Sequence, residues 1–201
     1  MFIRLFSAII AAAIGLGVST IPAAAQSVAA VPTNLVVPEG NELYLYGQAT
    51  GTQNYVCVPA ATGAAWKFIG PQATLFTSVN NELQQITTHY LSANPIENGT
   101  ARATWLSSSD SSAVWARAIA NSIDPNYVAP ASIPWLLLQA VGTADGPTAG
   151  TMLSRTTYIQ RLNTIGGVAP ASGCDKHRDI GALALVPYTT DYFFYRAIAQ
   201  Q

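Results

Sequence analysis

The sequence predicts an all-β fold: a single antiparallel β-barrel or β-sandwich of about eight strands. Three observations carry that expectation. Beyond residue 34, apolar and polar residues alternate with a period of two in one run after another. Short connections rich in Gly, Ser, Asn and Pro separate the runs. Strands do not alternate with helical patterns, which disfavours a parallel α/β sheet.

The elements follow in order. Glu42–Ala49 sets Leu43 and Leu45 against Tyr44 and Tyr46, and Gln53–Val58 sets Tyr55 and Cys57 against Val56 and Val58. Thr50-Gly51-Thr52 between them is turn-like, so the two runs read as a hairpin. Ala64–Ile69 carries Trp66 and Phe68 two apart; Leu83–Leu91 contains Ile86 and His89; Ala101–Leu106 contains Trp105. Ala113–Ile119 alternates again. Ile133–Ala140 suits a buried strand or a helix turn, and its length and Pro-rich entry favour the strand. Leu153–Asn163 is rich in β-branched and aromatic residues and reads as a long strand. Asp191–Ala197 closes the series.

The segment before these runs has a different character. Arg4 precedes an apolar stretch from Leu5 to Val18, then Pro22 and a run of alanines before Gln26. That is the layout of a cleavable secretory signal, and the stretch is shorter than the roughly 20 residues of a membrane span. The expected organisation is a signal over 1–25, cleaved after Ala25, a flexible lead-in over 26–34, and one β-domain over 35–201. The expected location is periplasmic or secreted, without stable membrane insertion. Only 9 % of residues are charged, against about 25 % in ordinary domains. The surface therefore offers no basic stripe for nucleic acid and no polybasic patch for anionic lipid. An outer-membrane barrel would need lipid-facing apolar stripes, which Ser/Thr/Asn-rich strands do not supply.

Two cysteines, Cys57 and Cys174, remain in an exported chain, and an even count suggests a disulfide; two separate buried thiols are the other reading. Asn98-Gly99-Thr100 is a glycosylation sequon in a eukaryotic secretory route and a glycine turn in a bacterial one. The stretch Ser172–Asp179, SGCDKHRD, concentrates charges of both signs around one cysteine and His177. Mutual neutralisation and solvation account for it as a wet loop; a reactive centre is the other reading.

Searches for catalytic patterns find little. No dinucleotide or P-loop glycine spacing occurs, nor a G-x-S-x-G elbow. With the cysteines oxidised, two histidines make no metal site, and no cofactor is expected. His89 is the lone acid–base candidate, with Asp110 or Asp191 as the carboxylate; the alternative is a histidine bonded to backbone or water. Arg161 sits on a strand otherwise fit for burial. It is either braced internally by Asp191 or is an anion or carboxylate anchor at the mouth of a pocket. Trp66, Trp105, Trp115 and Trp135 are core or a stacking surface.

Several short motifs together resemble an uncharacterised exported family, the domain of unknown function numbered 3455. They include Tyr55-Val56-Cys57, Pro71-Gln72-Ala73-Thr74-Leu75, Ile133-Pro134-Trp135-Leu136-Leu137, Tyr158-Ile159-Gln160-Arg161-Leu162-Asn163-Thr164 with Gly166-Gly167, Val186-Pro187-Tyr188 and Asp191-Tyr192-Phe193-Phe194-Tyr195. The run from Tyr158 to Gly167 is the most specific. The family pattern carries Asp-Gly-Ser where this chain has Asp110-Ser111-Ser112, which puts a positive-φ turn there in doubt. The resemblance implies an exported β-domain and supplies no activity. The functional expectation is a binding or structural role in the cell envelope, with a small molecule or an envelope component as partner. The ligand region is expected near Arg161, His89, Trp135 and Tyr188. The competing expectation is a hydrolase-like enzyme using His89.

Overall fold

The computed structural model describes residues 30–199; the expected secretory signal lies outside them. Eight strands follow one another: β1 Asn41–Ala60, β2 Gly63–Val79, β3 Glu82–Asn94, β4 Thr100–Ser107, β5 Ala113–Ser122, β6 Trp135–Ala144, β7 Thr156–Gly166 and β8 Leu183–Ala197. Each pairs antiparallel with the next, and β8 returns to β1, so the sheet is a closed barrel. The barrel alternative is therefore the right one, and the sandwich falls away. Two short 3-10 turns, Thr33–Leu35 and Pro95–Glu97, complete the regular structure.

One expected element is corrected. The hairpin at Thr50-Gly51-Thr52 does not exist: β1 runs unbroken through it, paired with β2 on one side and β8 on the other. A β-carbon on Gly51 would collide with the Gln72 carbonyl and with Ala73. The glycine marks a close backbone approach inside a strand, a role that looks like a turn in sequence. A smaller correction applies to β7. The expected start at Leu153 is a turn, because the Leu153 carbonyl accepts from both the N–H and the hydroxyl of Thr156.

Closure sorts side chains into two layers. Inward residues form the main core: Leu75, Trp105, Val114, Leu138, Ile159, Tyr192 and Phe194 among them. The outer face of β6, β7 and β8 carries a second cluster, with Trp135, Leu137, Leu162, Phe193 and Tyr195. That cluster is covered by Leu35 and Val128. Val31 packs against the same cluster and leads into the 3-10 turn Thr33–Leu35. Gln160 holds it there, donating to the Leu35 carbonyl at 2.7 Å while accepting from the Tyr195 hydroxyl at 2.7 Å.

Cys57 and Cys174 form a disulfide, with Cα atoms 6.1 Å apart. It joins β1 to the long loop before β8. Ladder-like bonds beside it, Cys57 N–H to the Ala182 carbonyl and Gly181 N–H to the Cys57 carbonyl, extend the clasp. Trp66 covers it, donating to the Gly173 carbonyl at 2.8 Å. The SGCDKHRD loop is bonded to itself: Asp175 accepts from the backbone of His177 and Arg178, and Asp179 accepts from that of Asp175.

The bridge spans 117 residues of sequence, a separation at which loop-closure entropy alone amounts to about 4–5 kcal/mol. Thermal melts with and without reductant are expected to differ, with the reduced protein melting lower. Coincident midpoints would show that the clasp contributes nothing.

Candidate functional site

Strand alternation decides which candidates meet. On β7, Ile159 and Arg161 turn inward while Gln160 and Leu162 turn outward. On β8, Tyr188, Tyr192 and Phe194 turn inward, and Phe193 and Tyr195 outward. Arg161, His89 and Tyr188 therefore share the interior. Trp135 does not join them. It lies on the outer wall, edge-on to Tyr127 at 5.8 Å.

The interior residues border a cavity of about 320 Å³ at one end of the barrel. Its origin is in the ladders. The β2–β3 pairing ends at Ala73 and His89. Beyond them β2 continues through Gly70 and Pro71, and proline has no N–H to donate to β3. β3 leaves with β4 instead, and β4 holds β5 only from Ala103 to Leu106. The wall forks, and His89 stands at the fork. A shallower groove of about 570 Å³ runs along the outer side and shares Pro71, His89 and Leu91 with the cavity.

The floor is aromatic. His89 stacks on Trp105 with centroids 4.2 Å apart and planes 11° from parallel. Tyr192 meets both edge-on at 5.3 Å, and Phe194 supports Trp105 from below at 6.0 Å. The walls are small or aliphatic: Ala103, Ala116, Ala118, Leu136 and Leu138. Sequence reasoning missed Gln53 and Tyr192 as members of this site and offered Trp105 only as core or a stacking surface, without placing it beside His89.

His89 is fully buried, and its Nδ1 lies 2.9 Å from the Thr104 carbonyl oxygen. A carbonyl only accepts, so Nδ1 carries the hydrogen of the neutral ring. Burial lowers its pKa to about 3; the Thr104 bond opposes this, and the Arg161 charge adds to it. Among the described residues no carboxylate lies within 4.0 Å of His89, and its one hydrogen bond is to backbone. So weak a base stays neutral near pH 7, far from the pKa that suits proton transfer there.

The two acidic candidates are elsewhere. Asp191 sits on the outer face, accepting from the Tyr46 hydroxyl at 3.0 Å and the Asn163 amide at 2.8 Å. Asp110 locks the β4–β5 turn to the loop before β7. Its carboxylate accepts from Ser112 N–H and hydroxyl and from Met152 N–H. Burial acts to raise its pKa, but those bonds outweigh it and hold the carboxyl far below the usual range. Ser111 keeps a positive-φ conformation, at φ 59°, so the left-handed turn is present here without a glycine.

Arg161 is not braced by Asp191. Its Nη2 and Nε donate to the Pro134 carbonyl at 2.8 and 3.2 Å, and no carboxylate lies within 4.0 Å of it among the described residues. Its neighbours are uncharged: the guanidinium acts on His89, Tyr55, Tyr188 and Tyr192. Burial pushes the Tyr188 phenol far up, and Tyr188 and Tyr192 stay protonated donors. Arg102 and Arg117 also border the opening, but strand alternation carries their side chains to the outer face. There Glu97 binds Arg102 through two 2.7 Å bonds. Among the described residues no group of His, Cys, Asp and Glu is placed to hold a metal ion.

A family model described as "Protein of unknown function (DUF3455)" matches residues 38–196. No curated protein and no solved structure matches the chain.

Two expectations follow from this geometry. Because the folded His89 ring stays neutral, the unfolded chain binds the extra proton between about pH 6.5 and 3. Stability is then complete above about 6.5 and falls as pH drops, by up to about 1.4 kcal/mol per pH unit. His89→Gln should flatten that slope in urea melts between about pH 4 and 6.5, a range above the ordinary Asp110 value of 3.8; parallel slopes would refute it. Ser111→Gly relieves the left-handed backbone and should add about 1 kcal/mol of stability, read as a raised melting temperature.

Proposed function

The chain belongs to the family described as protein of unknown function DUF3455, and we propose that it is an exported binding protein holding one small organic molecule in the flared end of its barrel. One observation carries this reading: a cavity with an aromatic floor and alanine walls also contains an inward guanidinium that no carboxylate of the described residues neutralises. Eight-stranded barrels are wide enough to be packed solid or to hold a single small ligand. The alanines at 103, 116 and 118 are where this barrel leaves room.

Export is supported by the short apolar segment with its alanine-rich end, by the disulfide, and by a surface poor in charge. No described helix is long and apolar enough to cross a membrane. The proposed location is periplasmic or extracellular, with a role in the cell envelope. Binding is favoured over hydrolysis because, among the described residues, the hydrogen bond His89 makes is to a backbone carbonyl and not to a side-chain hydroxyl or carboxylate.

A neutral hydrophobic fluorophore, N-phenyl-1-naphthylamine, tests the cavity. Ala118 is exposed at its rim, so Ala118→Phe fills the mouth without disturbing the core. The fluorophore should brighten with the native protein, and the substitution should weaken its binding at least ~10-fold. Equal binding by the variant would move the site elsewhere.

A further inference from the structure

We propose that the molecule held in the cavity is a small organic monocarboxylate, its head paired with Arg161 and its apolar body laid against the aromatic floor. The inference rests on the binding reading above and specifies the ligand's chemistry. Among the described residues, Arg161 is the guanidinium that alternation turns into the cavity. A guanidinium has five N–H groups in a planar fork. Nη2 and Nε donate to one carbonyl oxygen, that of Pro134. The Nη1 edge is left without an acceptor carboxylate, among neutral phenols and a neutral imidazole.

Gln53 points to the same chemistry independently. It lines the cavity, is only 3 % exposed, and its amide nitrogen has no hydrogen-bond partner. Gly167 makes room for it: a β-carbon there would press on Gln53 Cγ and Tyr188 Cβ at 3.0 Å. The Tyr188 hydroxyl beside Gln53 is unpaired as well; it, the Gln53 amide nitrogen and the Nη1 edge can all donate, so one acceptor placed among them meets all three. The Arg161 guanidinium is half-buried, and a charge partly withdrawn from water is best met by an anionic acceptor. One guanidinium matches one carboxylate in a bidentate pair.

The rest of the cavity excludes a bare inorganic ion as its intended content. Among the described residues no Asp or Glu lines it, and Leu136, Leu138, Leu91 and Phe68 present hydrocarbon. Such walls stabilise an aliphatic or aryl body. The volume is at the small end of ligand pockets, which suits a medium-chain or bicyclic aryl acid.

The decisive comparison uses the unmodified protein. Calorimetric titration with octanoate and 2-naphthoate is set against octanamide and 2-naphthamide, which keep the body and lose the charge. At least one acid should bind roughly 10- to 100-fold more tightly than its amide, the range of a charge-assisted hydrogen bond. Preference for the naphthyl acid assigns the body to stacking on Trp105 and Tyr192; preference for the octyl acid assigns it to the leucine wall. Arg161→Gln should bring the acid down to its amide's affinity, and Arg161→Lys should recover part of the difference. Amides binding as tightly as acids would overturn the carboxylate while leaving the binding function standing. Inorganic phosphate competing at the same concentration as the acids would also overturn it. Failure of acids, amides and the neutral fluorophore alike would remove the cavity as a binding site.

Discussion

The pairing of β1 with β8 is the contact on which the rest of the molecule depends. β1 is twenty residues long and lies between β2 and β8 for much of that length. With this seam shut there is an inside and an outside, and every second residue is committed to one of them. The inner layer then has a fixed volume. Large rings fill most of it, and Ala103, Ala116 and Ala118 leave the remainder empty near the fork. Without the seam β1 and β8 would be edges, and neither the aromatic floor nor the position of Arg161 would be defined.

The same strand that carries the interior charge also secures the exterior. Along β7, Ile159 and Arg161 face in, while Gln160 bonds the Leu35 carbonyl and Leu162 packs beneath it. Thr164 binds the Ile133 carbonyl at 2.6 Å. Gly166 and Gly167 then turn the chain with positive φ under Tyr55 and Tyr188. The ten residues from Tyr158 to Gly167 are thus occupied on both faces at once. A short run with two sets of neighbours tolerates few substitutions.

Much of the architecture was legible because period-two alternation is a local property. The disulfide was legible from two cysteines in a chain with a secretory layout, and Arg161 from its mismatch with an apolar strand. What was not legible depends on register. The side on which Trp135 emerges follows from bulges near Ala118 and Leu162 and from what the 123–132 loop covers. Gln53, Trp105 and Tyr192 come from three distant strands, and only the closed ladder brings them to one place. Gly51 was misread because a glycine relieving a backbone contact and a glycine making a turn look identical in one dimension. Asp110 drew notice as an acid, yet its oxygens are consumed by Ser112 and Met152.

The position of the seam also sets an order of assembly. Glu42 and Arg196, which face each other across it, are 154 residues apart in the chain. During synthesis the first strand acquires its neighbour on one side early and waits for the other until almost all the remaining strands exist. Contacts of such separation make folding slow and leave a sticky strand edge uncovered meanwhile. Under the export proposed above, a molecule wired this way can travel unfolded and close only at its destination, where an oxidising environment would lock the clasp between Cys57 and Cys174.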